Sequence, residues 1–466
     1  EPVAKKYFSG GFKGQKIEFR KADPSSLDAA EEHARVSVKL EASKVIPKVR
    51  YNGSWEQVVN RELRHYLRNL QDPGPNKVVS DVSLEAFIDL ALGKGGLGFL
   101  AYETWRAYRD LDHWKAMGVM PLYSFDKDGN KIDWDNRPGF QPVQVQDELG
   151  RQSTLSFDVD FKGRKERVYV YWYNANGTPV FLIKHESLFR RLYPGGDEQV
   201  IQYGFMGRAY VELMKVLGVS PDVLRLSESQ LIFVATAMKN DVEFFRRAGG
   251  KSILDGTKVV MTTHTPELAA LPSWYDVGAL KGLVGDDLVR EDIVYAGKVN
   301  AAGALGTYAD MVNGVSPEHK DITIEAVLPH IADKTTGIQN GSDPDMWRSE
   351  TLNRLVLEQG IVNVTGQQLF DIGMDQKKKL NAYLRNNGFR GFDDIERPLF
   401  AAVRRLVEYK SQAILIPMVK WIVGDPDKDY ETPLGVQKGL GANLLLGGEA
   451  LDGVTFEWVN EFKRLE

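Results

Sequence analysis

Five short motifs stand in order along the chain, each where a strand would end, and no other feature constrains the fold as much. They are Lys94-Gly95-Gly96-Leu97-Gly98, Pro194-Gly195-Gly196-Asp197, Pro221-Asp222 to Glu228, Thr262-Thr263-His264-Thr265-Pro266 and Arg404-Arg405 to Lys410. Open α/β sheets bind ligands at the carboxyl ends of their strands. Glycine turns and fixed cations gathered there suit a sugar–phosphate chemistry.

The intervening pattern agrees with an α/β chain. Lys258-Val259-Val260-Met261-Thr262 is a β-branched run that ends at His264. Val223 to Leu226, Leu399 to Val403 and Asn443 to Leu446 read as further strands. Glu198 to Leu217 and Gln230 to Lys239 read as helices, as do Ser54 to Leu70, Ser83 to Leu92 and Phe99 to Leu111. Arg167 to Tyr173 alternates, Asn174-Ala175-Asn176-Gly177 turns and Val180 to Ile183 returns, which predicts a hairpin with a longer loop. Strands alternating with helices predict βαβ units and a parallel sheet. At 466 residues the chain is too long for one ordinary core.

Composition excludes several classes. The chain has no cysteine, so disulfides, thiolate metal sites and a cysteine nucleophile are ruled out. Its net charge of −5 gives no long-range attraction to nucleic acid. No apolar run reaches the ~18 residues of a membrane span. The expectation is a cytoplasmic protein with neither nucleic-acid nor membrane partners. The seven histidines show no i,i+4 pairing, so no metal site is expected.

Each motif also has a plainer reading. Gly93-x-Gly95-x-x-Gly98 matches the dinucleotide fingerprint formally, but Leu84 to Leu90 before it reads as helix rather than strand. A glycine turn at a helix start, where backbone N–H groups approach an anion, fits better; a tight helix–helix turn is the plainer alternative. A lone histidine such as His264 is more often structural than functional. Arg404, Arg405 and Lys410 can close on one phosphate, or can form a solvated helix face paired with Glu408.

Taken together the motifs resemble the α-glucan (glycogen, starch or maltodextrin) phosphorylases of the short bacterial and archaeal type. The likeness is carried by Gly95 to Ala101, Leu192 to Glu198, Leu217 to Val223, Thr262 to Pro266, Asn313 to Ser316, Asn340 to Trp347 and Arg404 to Lys410. The chain departs from that pattern at Ser227-Glu228-Ser229-Gln230 and at Glu449. The resemblance implies a GT-B-like α/β fold. A doubly wound Rossmann-type domain over residues 1–395 would be followed by the beginning of a second over 396–466. It implies phosphorolysis of α-1,4-glucan to glucose 1-phosphate, with pyridoxal phosphate as cofactor and glucan and phosphate as partners; a homodimer is among the assemblies it allows. Residue by residue, it implies that Gly95 and Gly96 meet phosphate oxygens, that Asn340 belongs to the substrate site, that His264 contacts the glucosyl unit, and that Arg405 and Lys410 hold the substrate phosphate. The cofactor lysine would lie beyond residue 466, or, in a second alignment, at Lys438. Three alternatives stand beside it: a non-catalytic glucan- or partner-binding relative, a nucleotide-sugar GT-B glycosyltransferase, and, resting on the glycine match alone, an NAD oxidoreductase.

Overall fold

The computed structural model describes residues 47–51, 54–264, 271–403, 406, 412–448 and 453–465. Its centre is a ten-stranded sheet. In chain order the strands are β1 (Lys77–Val82), β2 (Trp114–Leu122), β3 (Gln141–Pro142), β4 (Ser156–Phe161), β5 (Arg164–Ala175), β6 (Thr178–Lys184), β7 (Val223–Ser227), β8 (Lys258–Thr263), β9 (Met311–Gly314) and β10 (Thr335–Gly337). They lie in the order β10-β9-β8-β7-β1-β2-β6-β5-β3, with β4 paired to β5.

The seven strands from β10 to β6 are parallel. The inner strands β1, β2 and β6 are mostly buried on both faces, as cover by helices on both sides requires, although β1 carries Ser80 and Asp81. Every residue of β1 except Lys77 is buried, and so are six of the seven in β6. Beyond β6 the sheet turns antiparallel through the β5–β6 hairpin. That hairpin is tighter than the sequence predicts. Ala175 pairs with Thr178, leaving a two-residue turn, Asn176-Gly177, with φ of 53° and 98°. Two positive φ values are what a type I′ turn demands, and Asn-Gly supplies them at least cost.

β1 starts the winding. The chain moves from β1 to β2 and β6 on one side, then returns through a long helix to β7 and continues outward to β10. The direction of winding therefore reverses between β1 and β7, where open α/β sheets place their ligand crevice. Four helices matter here: α1 (Arg61–Gln71), α2 (Gly96–Ala107), α3 (Gly196–Leu217) and α4 (Ile232–Arg247). α3 ends at Gly218 in the left-handed conformation, whose N–H bonds back to Lys215 and Met214.

Several local expectations change. Residues 54–70 are a strand, Ser54–Val58, followed by α1, not one helix. Residues 83–92 are irregular, not helical. β1 and β2 have no counterpart in the sequence reading. β2 carries Gly118 and Pro121, which read as breakers, yet Pro121 sits beside Ile183 in the parallel ladder. Other expectations do not change: Leu399–Val403 and Asn443–Gly447, both expected as strands, form a parallel pair with each other.

Candidate functional site

The crevice is built from the segments that leave the parallel strands at their carboxyl ends. After β1 comes Ser83-Leu84-Glu85, then an irregular stretch, then the glycine turn that opens α2. The turn has its shape because Phe87 lies beneath it. A Cβ on Gly93 would stand 2.7 Å from the Phe87 ring, and one on Gly98 2.9 Å from it. Only glycine allows that approach.

Glu85 holds the turn from inside. Its Oε2 accepts the N–H of Lys94 at 2.6 Å and that of Gly95 at 3.2 Å. Its Oε1 accepts the hydroxyl of Tyr193 at 2.8 Å. Tyr193 precedes the second glycine pair and has φ of 51°, with Gly195 and Gly196 also positive at 84° and 55°. Burial, and then the nearby Glu85, push the Tyr193 phenol well above its ordinary range, so it stays a hydrogen-bond donor. Thus both glycine turns, roughly a hundred residues apart in sequence, meet on one glutamate.

After β7, Glu228 adopts φ 81° and ψ 155°, a region that costs a non-glycine residue about 1–3 kcal/mol. Its N–H donates to Thr262 O at 2.9 Å, and its Oε1 accepts the N–H of His264 at 3.0 Å. The end of β7 is thereby fixed to the end of β8. Below them Arg225 bonds Asp81 at 2.8 Å and Thr262 Oγ1 at 3.0 Å, while Tyr108 donates to the same Asp81 oxygen at 2.9 Å. Burial above all, then the Arg225 charge and His319, lower the His264 pKa to about 3. His264 is therefore a neutral imidazole at pH 7. Its Nε2 is buried without a hydrogen-bond partner among the described residues.

The expected site residues sort into three groups. Gly95, Gly96, His264 and Asn340 share the carboxyl edge, following β1, β8 and β10; the Asn340 N–H donates to Val315 O at 3.0 Å, just past β9. Gly95 is not bare as the sequence suggests, because Glu85 already takes its N–H. Arg405 and Lys410 lie outside the described residues. Lys438 stands elsewhere, exposed on a small hairpin, with its Nζ on Asp429 at 2.9 Å and on the Asp427 carbonyl at 3.0 Å. Sequence reasoning missed Glu85, Tyr193 and Glu228 as site residues. Glu228 carried a signal, since it directly follows the short strand read at Val223 to Leu226 and its Ser227.

Residues 90–327, just over half of the chain, match the family model for the starch synthase catalytic domain. The chain belongs to this family. Among curated relatives, the starch synthase family match is echoed by the glycogen synthase of Lactococcus lactis subsp. lactis (strain IL1403). It is 27% identical over 202 residues, 41% of this chain and 41% of that protein. The glycogen synthase of Anaeromyxobacter sp. (strain Fw109-5) is 24% identical over 53% of this chain and 51% of its own length. The chain spans about half the length of the curated relatives it matches. Among solved structures, the catalytic domain of starch synthase IV from Arabidopsis thaliana, bound to ADP and acarbose, superposes with a TM-score of 0.59. Identity is 17%, over 84% of this chain and 72% of that one. The fold is accordingly the GT-B-like α/β fold.

Membership in the starch synthase family corrects the phosphorylase resemblance. A synthase family builds glucan and does not cleave it with phosphate. Phosphorolysis, pyridoxal phosphate as cofactor, and inorganic phosphate as partner are all overturned, and Lys438 loses the role given to it. The physical reason is that glycine turns at helix starts and a histidine after a strand report the carboxyl edge of a GT-B-like sheet. They do not report which phosphate-bearing group meets it. No helix among the described residues is long and apolar enough to cross a membrane.

Proposed function

We propose that this chain is a nucleotide-sugar glycosyltransferase of the starch and glycogen synthase kind, which moves glucose from a nucleoside diphosphate glucose, ADP-glucose first, onto the end of an α-1,4-glucan. In the reaction an acceptor hydroxyl oxygen bonds the anomeric carbon. The bond from that carbon to the diphosphate oxygen breaks, the nucleoside diphosphate leaves, and the hydroxyl proton is released. What carries this reading is that the family match over 90–327 contains the glycine turn, Glu228 and His264, which converge on one edge. The ADP and acarbose bound in the starch synthase IV structure support the donor and acceptor classes.

Each residue then has a task. The amides of Gly96 and Leu97 open α2 ahead of its hydrogen-bond ladder and suit the departing diphosphate; Gly95 shapes the turn through Glu85. A preorganised donor of this kind contributes about 3 kcal/mol to the transition state. Neutral His264 offers the glucosyl unit a hydrogen bond without adding charge, and Asn340 lies on the same edge. Arg405 and Lys410 are assigned to the donor phosphates. The division at residues 395 and 396 belongs to the same proposal, with the parallel pair Leu399–Val403 and Asn443–Gly447 opening the second unit.

The test is glucose incorporation into maltodextrin from labelled ADP-glucose and UDP-glucose, using the native gene product. Incorporation from one of them is expected, with no glucose 1-phosphate from maltodextrin and phosphate. Incorporation from neither would overturn the reading.

A further inference from the structure

The segment that leaves β10 does not run directly to the strand pair at 399–447. The Ile338 N–H first bonds the Gly314 carbonyl at 2.9 Å and Asn313 Oδ1 at 3.1 Å, at the end of β9. The segment then reaches α2, which belongs to the other half of the sheet. Arg106 Nε donates to Asp343 Oδ2 at 2.6 Å, and the Trp347 indole N–H donates to the buried Glu103. The Trp347 ring lies 5.1 Å from Phe99, centre to centre, and Phe99 stacks on Phe87 at 4.0 Å. Phe87 is the ring on which Gly93 and Gly98 rest. A continuous line of packed groups thus joins the connector between the two α/β units to the glycine turn.

We infer that Trp347 is a positioning residue for the glycine turn, with the Asp343–Arg106 pair pinning the connector that carries it. The connector sets the turn through three rings, so any movement of the chain between the units is felt at the amides that meet the donor. Trp347 is still 58% exposed, so its removal leaves the core intact. The inference rests on the transferase reading only for what the turn binds.

The experiment is hydrogen exchange of the full chain, read on peptides covering residues 93–98, in wild type, Trp347→Ala, Trp347→Phe and Asp343→Asn. An aromatic contact of this kind predicts exchange faster by about three- to tenfold in Trp347→Ala. Trp347→Phe, which keeps a ring against Phe99, returns toward wild type, and Asp343→Asn falls between. Peptides from β7 stay unchanged. Unaltered exchange over 93–98 in both Trp347→Ala and Asp343→Asn would overturn the inference. ADP titration of the same proteins is the second reading: Trp347→Ala weakens binding by a similar factor and Trp347→Phe restores it. Failure of wild type to bind ADP would count against the transferase reading, and the exchange data would then decide the positioning role alone.

Discussion

Oε1 of Glu228 accepts the backbone N–H of His264 at 3.0 Å, so the residue after β7 sets the position of the residue after β8. Glu228 holds this place at φ 81°, where glycine would be relaxed. In Glu228→Gly the relieved strain, about 1–3 kcal/mol, works against the loss of the His264 bond, about 1 kcal/mol, and of the side chain's other contacts. Stability in urea is expected within about 1 kcal/mol of wild type, while glucosyl transfer falls by about tenfold or more as His264 loses its tether. Glu228→Gln keeps the acceptor and should restore most of the rate. Full transfer by the glycine variant would reduce Glu228 to a structural role.

How far sequence could see this site depends on where each residue's partner lies. The run Lys258 to Thr263 and the histidine after it are legible because β-branched residues and the break are local. β1 is not, because Ser80 and Asp81 interrupt its apolar run. Asp81 is there for Arg225, 144 residues away, and no local pattern announces that. Residues 83–92 mimic a helix in spacing, yet a tertiary bond and a local one fix them otherwise: Tyr123 OH donates to Leu84 O, and Ser83 Oγ donates to Glu85 O two residues on. The short motifs lead to the observed fold but suggest the wrong reaction: Glu85 lies in a stretch that reads as helix, and Tyr193, although inside Leu192 to Glu198, meets Glu85 only through the fold.

The Arg225–Asp81 pair makes a prediction about stability. Both groups are largely buried, with 18% and 1% of their side chains exposed. Arg225→Met leaves Asp81 uncompensated and should cost about 3–5 kcal/mol. Arg225→Met combined with Asp81→Leu removes both charges and should recover most of that loss. Urea unfolding of the three proteins checks it. A double variant as unstable as the single would mean the pair is required for packing rather than tolerated as a paired charge.

His264 predicts a pH dependence. Its pKa falls from 6.5 to about 3 on folding, mainly through burial. Below pH 6.5 the unfolded chain binds a proton that the folded chain refuses. The stability present above 6.5 is therefore lost as pH falls toward 3, by about 1.4 kcal/mol per pH unit from this group. Unfolding free energies measured from pH 7 down to 4 should decline more steeply in wild type than in His264→Gln. Equal slopes would show that His264 is not held neutral by the fold.

The two kinds of glycine in the turn separate shape from contact. A Cβ on Gly98 would meet the Phe87 ring at 2.9 Å and Glu85 Oε2 at 3.2 Å, whereas one on Gly96 would meet nothing within 4 Å. Gly98→Ala is expected to cost about 1–3 kcal/mol in stability, as overpacking does, and to disturb the turn wherever Phe87 moves. Gly96→Ala should fold at least as well as wild type, because its backbone lies outside the left-handed region and alanine restricts the unfolded chain. Its Cβ would nonetheless stand in the open space before the α2 amides. If the donor diphosphate approaches there, ADP affinity falls by about tenfold with no loss of stability, a split that thermal unfolding and ADP titration of the same preparation measure together. Unchanged affinity in Gly96→Ala would move the diphosphate away from the start of α2.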